Sequence, residues 1–476
     1  MSHSAPAAPA APGRRSTRRG RRADVTVLLA VGLPLLCALA LLAVGASDAE
    51  DAEHPPTRIA LSRATVICPS ALGDARKVAI TSAADGVSGQ VDVGLGEDRV
   101  AADIETGKVT TVAADDGPLV VTGEDEAAPG LVAARFGADQ PAALSCPTPT
   151  PHVWFTGVGA GAGHTSVLEL VNPDSGTAVA DVTVYGRSGV VDAPRLRGVS
   201  VSGHSSVRLD LGSMIPRRDE LAIEVVTSRG RIGASVLDRY DEVGAPELTE
   251  DWLSGRAEPA TDSLLMGLAP GPGRRTLVVA NGTDSEVRAD VHLVTADSVF
   301  APEGVPEIRI APQSVERVSL TSVLDSKTAD GATGLLVSAS GPVTATLRAV
   351  AAGDLSHAVT GDVLDGPATA LLPAGAKGVT KTVELAGAIR AGSVAVVARS
   401  ASGKELDTAR VDIAPDQGVS VKLPAGAVSV TVTPERTSVT GAVRITATGK
   451  AAGTAVVPLT LPVLNGLVPD VRPGLP

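Results

Sequence analysis

The chain has 476 residues and a net charge of −12, and only seven of its side chains are aromatic: three Phe, two Tyr and two Trp. That length predicts three or four domains of about 100–150 residues each, and the 44% apolar content means cores built from Val, Leu, Ala and Ile. Gly (51) and Pro (34) together stay below the roughly 25–30% that marks low-complexity disorder, and an acidic body argues against nucleic acid, which is bound through Lys and Arg.

Residues 1–24 form a basic tail with six arginines: Arg14, Arg15, Arg18, Arg19, Arg21 and Arg22. Setting those six aside leaves −18 on the rest of the chain. Val25 to Ala46 then runs for twenty-two residues without a charge. At 1.5 Å per residue it reaches about 33 Å, enough to cross a hydrocarbon core. Arginines on its N-terminal side place that end in the cytoplasm and the bulk of the chain outside, as a single-pass membrane protein. The alternative is secretion after cleavage of a signal peptide, with Val44-Gly45-Ala46 as the small-residue site. An acidic linker fills 47–60.

Two cysteines remain on the outer side, Cys68 and Cys146, each followed by proline in the strings VICPS and LSCPT. An even number in an oxidising compartment predicts a disulfide. It would bound a first β domain at 61–146 and close a loop worth about 4 kcal/mol in the chain-entropy account.

Beyond residue 60 apolar and polar residues alternate with period two, the signature of strands. VLELVNPDSGTAVADVTVYG (167–186) reads as strand, turn, strand, turning at Asn172-Pro173-Asp174. About seven short strands over 147–255 have the count and spacing of an immunoglobulin-like sandwich. The pattern recurs over 256–362, where Asn281 lies 109 residues after Asn172 and Val318 and Leu320 repeat Leu209 and Leu211 at the same offset. A third copy fills 363–462, its Pro415 and Leu423 falling 103 after Pro312 and Leu320. The expected fold is therefore all-β: tandem immunoglobulin-like β-sandwich domains after one N-terminal transmembrane helix, closed by a Pro-rich tail at 463–476. A period of this length fits whole domains in series. PELTEDWLSGRAEP (246–259) reads as the linker between two of them.

Motifs for chemistry are weak. TGVGAGAGHTS (156–166) lacks the lysine of a phosphate-binding loop and the glycine spacing of a dinucleotide fingerprint; it reads as a flexible loop between strands. GHSSV (203–207) is the nearest approach to a nucleophile elbow, but its copies lose both His and Ser. His152, His164, His204, His292 and His357 are scattered without metal-ligand spacing, and the acidic clusters lack a calcium-loop pattern. No catalytic residue, metal site or cofactor is expected, and the chain is read as a non-enzyme. Asn281-Gly282-Thr283 fits a glycosylation sequon, yet in a repeat it reads as a hairpin turn. Five of the seven aromatics fall within 154–252. Trp154, Phe155 and Tyr185 are assigned to a sandwich core. Trp252, with its neighbours Asp251 and Leu253, lies in the linker string and is either a cap on an inter-domain joint or a partner contact.

The arginine-rich start, the single span, the ICP and SCP pair, the WFTG string, LVNPDSGTAVADVTVYG and EDWL before a second Asn turn occur in that order. Together they resemble an actinobacterial family of unknown function, whose members are secreted or single-pass envelope proteins often encoded beside a membrane glycosyltransferase. The resemblance implies a role in the cell envelope, with a membrane or envelope protein, a glycosyltransferase among them, as partner. It carries over no catalytic residue. The leading expectation is an extracytoplasmic scaffold acting through protein contacts; the alternative is an envelope glycan-binding module.

Overall fold

The structure is a computed structural model that describes residues 32–36, 57–73, 75–137, 141–241, 248–449 and 452–468. The span expected at 25–46 lies outside the described residues except for 32–36, which are helical. Among the described residues no helix is long and apolar enough to cross a membrane.

Residues 58–467 form one compact, all-β unit. Four buried cores follow one another along it. Val66, Ile80, Val91 and Val121 are central to the first, Phe155, Leu168, Leu170 and Ile223 to the second, Leu277, Val279, Leu293 and Leu335 to the third, and Val383, Leu385, Val396 and Val443 to the fourth. The first and fourth are each enclosed by two four-stranded antiparallel sheets. In the second and third the two layers are linked through shared strands. Alternation explains the layers: in Ala178–Gly186, Ala178, Ala180, Val182 and Val184 are buried while Val179, Asp181 and Thr183 are half-buried. Cys68 and Cys146 form a disulfide beside the first core.

The second and third domains share a turn device. Asn172 ends the strand His164–Asn172, and its buried amide nitrogen donates to the carbonyls of Gly176 (2.6 Å), Val201 (3.1 Å) and Ser202 (3.2 Å). Its Oδ1 accepts from the N–H of Asp174 at 3.0 Å. Asn281 ends Gly273–Asn281 and repeats the set at Ser285, Ile310, Ala311 and Thr283. Every partner is displaced by 109 residues, as the repeat requires. Asn281 is fully buried, so the sequon is a turn pin and its nitrogen is inaccessible in the folded chain. The copies differ further on. In the second domain Arg218–Arg229 and Gly233–Tyr240 are separate strands around Gly230, whose φ of +76° fits a residue without Cβ. In the third, the eighteen residues Gly334–Ala351 run as one strand through both layers.

The four domains close on themselves. Each ends on a strand that touches those of its neighbours: Thr249–Leu253 contacts Ala143–Ser145 and Asp354–Val359, while Gly453–Pro458 contacts Asp354–Val359 and Ala143–Ser145. The first domain thus meets the fourth. Val109 N–H bonds the carbonyl of Ala401 at 3.0 Å, Ala79 and Ala134 pack on Leu371, and Ala143 joins the fourth core. The contacts thus run in a closed cycle through the four cores.

Candidate functional site

The densest polar chemistry lies where the second and third domains meet. Asp238 is fully buried on Gly233–Tyr240, directly opposite Ser166. Its carboxylate accepts from Ser166 Oγ at 2.5 Å and contacts His164 Nε2 at 2.9 Å and His357 Nε2 at 2.9 Å. His357 comes from the third domain, and its Nδ1 lies 3.4 Å from Asp251 Oδ2 of the second. Arg348 crosses the same boundary as a two-pronged pair with Glu220, at 2.7 and 3.0 Å, with both side chains 4% exposed. Arg348 also touches His164 and lies 5.4 Å from the centre of the Tyr240 ring. Beside these, Asp354 accepts from the N–H of Thr454 in the fourth domain at 2.8 Å. Gly453 permits that approach, since a Cβ there would stand 2.1 Å from the carboxylate.

The charges follow from burial and pairing. Burial by itself would push the Asp238 carboxyl up, but His164 and His357 outweigh it and hold the group below the usual carboxylate range. Burial would lower His357; Asp238 and Asp251 instead raise it to about 9, so it is an imidazolium at neutral pH. Asp251 is pushed by burial up to about 6. Asp354 is pushed by burial, with Asp251 adding to it, up to about 8 and is mostly neutral at pH 7. Its Oδ1 has no hydrogen-bond partner, an arrangement less costly for a neutral acid than for an anion. Ser166 donates to the Asp238 carboxylate rather than to a histidine nitrogen, an arrangement unlike the Ser–His pair of a nucleophilic triad. Among the described residues no group of His, Cys, Asp and Glu could hold a metal. The network's chemistry is that of a buried, proton-bearing clasp between domains.

Where the four terminal strands meet there is a cleft of about 460 Å³. Residues 144–150, 253–257 and parts of 359–362 and 458–463 contribute to its wall, one segment from each domain. Arg63 and Thr65 line it from the first domain, Arg231 from the second, and Arg256 and Asp362 from the third.

The aromatic cluster is redistributed by the structure. Successive residues of His152–Ala160 face opposite sides: Phe155 enters the second core as expected. Trp154 and Tyr185 do not; they stack at 4.9 Å and pack on Val278, Ala280 and Val315 of the third domain. Gly282 lies against Trp154, where a Cβ would stand 2.7 Å from the indole. That contact explains why the second Asn turn carries Gly in place of the Pro at 173. Trp252, Asp251 and Leu253 are 3%, 4% and 0% exposed. Trp252 packs against Leu72, Ala142 and Leu144 of the first domain, so it caps a joint within the chain. Of the two readings of Trp252 the packing fits the joint cap, and the burial of Trp252, Asp251 and Leu253 counts against a partner contact there. The linker reading of 246–259 is corrected too, because Thr249–Leu253 is a strand paired with Gly233–Tyr240. The flanking acids made it look solvated, but Asp251 is buried beside His357.

TGVGAGAGHTS is likewise no flexible loop: 156–160 continue a strand and His164 begins the next. Gly159 is needed because a Cβ would stand 2.4 Å from the His164 ring. The alternation of glycine with small residues was the signal of close packing there. His164 and His357 were not linked by any sequence pattern, being far apart in different domains.

A family model, described as a family of unknown function (DUF5719), matches residues 100–424. The chain belongs to DUF5719. No curated protein matches it. The part shared with DUF5719 contains His164, Glu220, Asp238, Asp251, Arg348 and His357, and reaches into all four domains; Thr454 lies beyond it. Of the disulfide it contains only Cys146.

Proposed function

We propose that this DUF5719 member is a non-enzymatic extracytoplasmic scaffold of the bacterial cell envelope, anchored through residues 25–46 and acting through protein contacts. In this reading its body is four immunoglobulin-like sandwiches in tandem, held in one fixed arrangement. The observation that carries it is the filling of the joints. Four of the five aromatics within 154–252, namely Trp154, Tyr185, Tyr240 and Trp252, pack between domains. Large buried contacts of this kind suppress the relative motion that domains in series otherwise show. A fixed array of domains suits the holding of a partner in a set orientation. The partner proposed is an envelope membrane protein, with a glycosyltransferase as the leading candidate.

Crosslinking and pull-down from native membranes tests this. A membrane protein enriched with the intact chain, together with an altered envelope composition on deletion, is the expected result. No enriched membrane protein and unchanged envelope glycans would overturn it. The glycan-binding alternative gains no support from Trp252, whose ring is buried against the first domain.

A further inference from the structure

We infer that the central cleft receives an extended peptide segment of a partner protein, which adds to the free part of the edge of the strand Arg63–Cys68, at Arg63 and Thr65, and directs an acidic side chain toward Arg63. This rests on the scaffold reading and supplies the chemistry of the scaffold's partner.

The free edge follows from hydrogen-bond alternation. Arg63–Cys68 is the outermost strand of its sheet and pairs on one side only, with Leu119–Glu124. Asp125 N–H bonds the carbonyl of Ser62, so residue 62 faces that partner, while Ile67 N–H bonds the carbonyl of Pro147 and faces away. In an antiparallel pair these directions alternate residue by residue. Arg63 and Thr65 therefore direct their N–H and C=O outward, on the side of Ile67, and both line the cleft. Among the described residues, no hydrogen bond reaches these outward groups. Thr65 is 6% exposed, and its Oγ1 is also without a partner. Buried peptide groups are nearly always paired, which applies to Thr65, while Arg63 is exposed and open to a partner; a strand laid along this edge would pair the outward groups of both, as strand addition does in peptide recognition.

The walls indicate which strand. Leu61, Val153 and Leu461 give apolar surface for alternate side chains. The lining holds three arginines and one aspartate, on a chain whose overall charge is −12. Arg231 and Arg256 are hydrogen-bonded to Asp174 and Asp362. Arg63 meets Glu124 only at 3.9 Å, with both side chains about half exposed at 48% and 66%. It is the cation with most to gain from an acidic side chain. The one aromatic in the lining, Phe155, is 1% exposed and offers no ring face for a sugar.

The test titrates the full chain with the blocked pentapeptide Val-Glu-Val-Thr-Val. Parallel titrations use a copy with Lys for Glu, a copy N-methylated at alternate amides, and cellohexaose. The acidic peptide is expected to bind at least about tenfold more tightly than the other two peptides. Arg63→Glu reverses the charge preference. Thr65→Pro removes an outward N–H that Leu119–Glu124 does not use, and abolishes binding. Should Thr65→Pro fail to fold, the exposed Arg63→Glu variant and the N-methylated peptide still decide. No peptide binding at millimolar concentration, equal binding of the acidic and basic peptides, or cellohexaose binding that Arg63→Glu removes would overturn the inference. A membrane protein that co-purifies with the chain while the cleft ignores all peptides would leave the scaffold standing and remove only the cleft's role.

Discussion

The second and third domains share a frame and diverge at one buried polar position in particular. Arg275 stands opposite Ala349 in the third, and Ser166 stands opposite Asp238 in the second. Arg275 is buried and private: it donates to the carbonyls of Ala269 and Gly271 at 2.9 and 2.6 Å. The fourth domain does the same with Lys381, which donates to Pro373 and Ala427 at 2.6 Å each. In the second domain the cation is gone, and Ser166 and Asp238 instead reach, through His357, into the neighbouring domain. The frame is repeated, therefore, while the joint is not. A device that completes one domain in the copies becomes in the second a device that fastens two.

The strongest way to break this contrast is to cut the joint at Arg348. Arg348→Met leaves Glu220 buried, with only the exposed Arg317 near it at 3.6 Å. The expected loss is about 3–5 kcal/mol. Urea unfolding monitored by Trp154 fluorescence should show the second and third domains separating before either melts. Arg275→Met should cost less, about 1–3 kcal/mol, and loosen only the third domain. If Arg275→Met uncouples the domains and Arg348→Met does not, the distinction between private and shared cations is wrong.

The pH dependence is next in size. His357 is raised to about 9, so its contribution is complete below the ordinary histidine value near 6.5 and is lost as pH rises through about 9. Asp354, raised to about 8, adds in the same direction, its proton-bound form being lost up to that pH. Asp238 is lowered and acts oppositely, its contribution being lost as pH falls below the ordinary carboxylate range. The urea midpoint is therefore expected to fall between about pH 6.5 and 9, by an amount on the order of 3 kcal/mol in free energy. His357→Asn should flatten that slope. A slope unchanged by this variant would mean that the clasp does not titrate as a unit.

Much of the frame could be read before any fold was known. Period-two alternation marked the strands, the 109-residue offset of Asn172 and Asn281 marked the turn, and two outer cysteines marked a disulfide. Each is a local or regularly spaced signal. The joints are neither. His164 and His357 carry no common pattern and meet only because two domains pack edge to edge. Trp154 and Phe155 are adjacent, yet one serves a joint and the other a core, and alternation alone does not say which face is which. Trp252 caps a joint, one of its two readings, but the strand that carries it was hidden by Glu250 and Asp251, because the charge at Asp251 is buried. The closed cycle of contacts has no sequence signal at all, since a repeat fixes the unit and not the angle between units. The cleft is lined in part by unpaired backbone, which composition does not register.

The turn pins provide a finer comparison. Asn172→Ala and Asn281→Ala each remove a buried amide with matching partners, so the two should cost about the same, about 1–3 kcal/mol each. Unequal losses would show that the copies are alike in geometry but not in energy.

The smallest effect is expected at an exposed bond across the same joint. Arg187 of the second domain reaches Glu316 of the third at 3.1 Å, with the arginine 58% and the glutamate 32% exposed. Solvent screens such a pair, and holding two long side chains in one geometry costs entropy, so Arg187→Ala should change stability by less than about 1 kcal/mol. The domains should still unfold together, and the small change should shrink further in salt. Arg187→Ala and Arg348→Met cut ion pairs over one boundary and differ chiefly in burial. If the exposed cut uncoupled the domains as fully as the buried one, the joint would rest on charge at its surface, and the clasp around Asp238 would be an ornament of the interior.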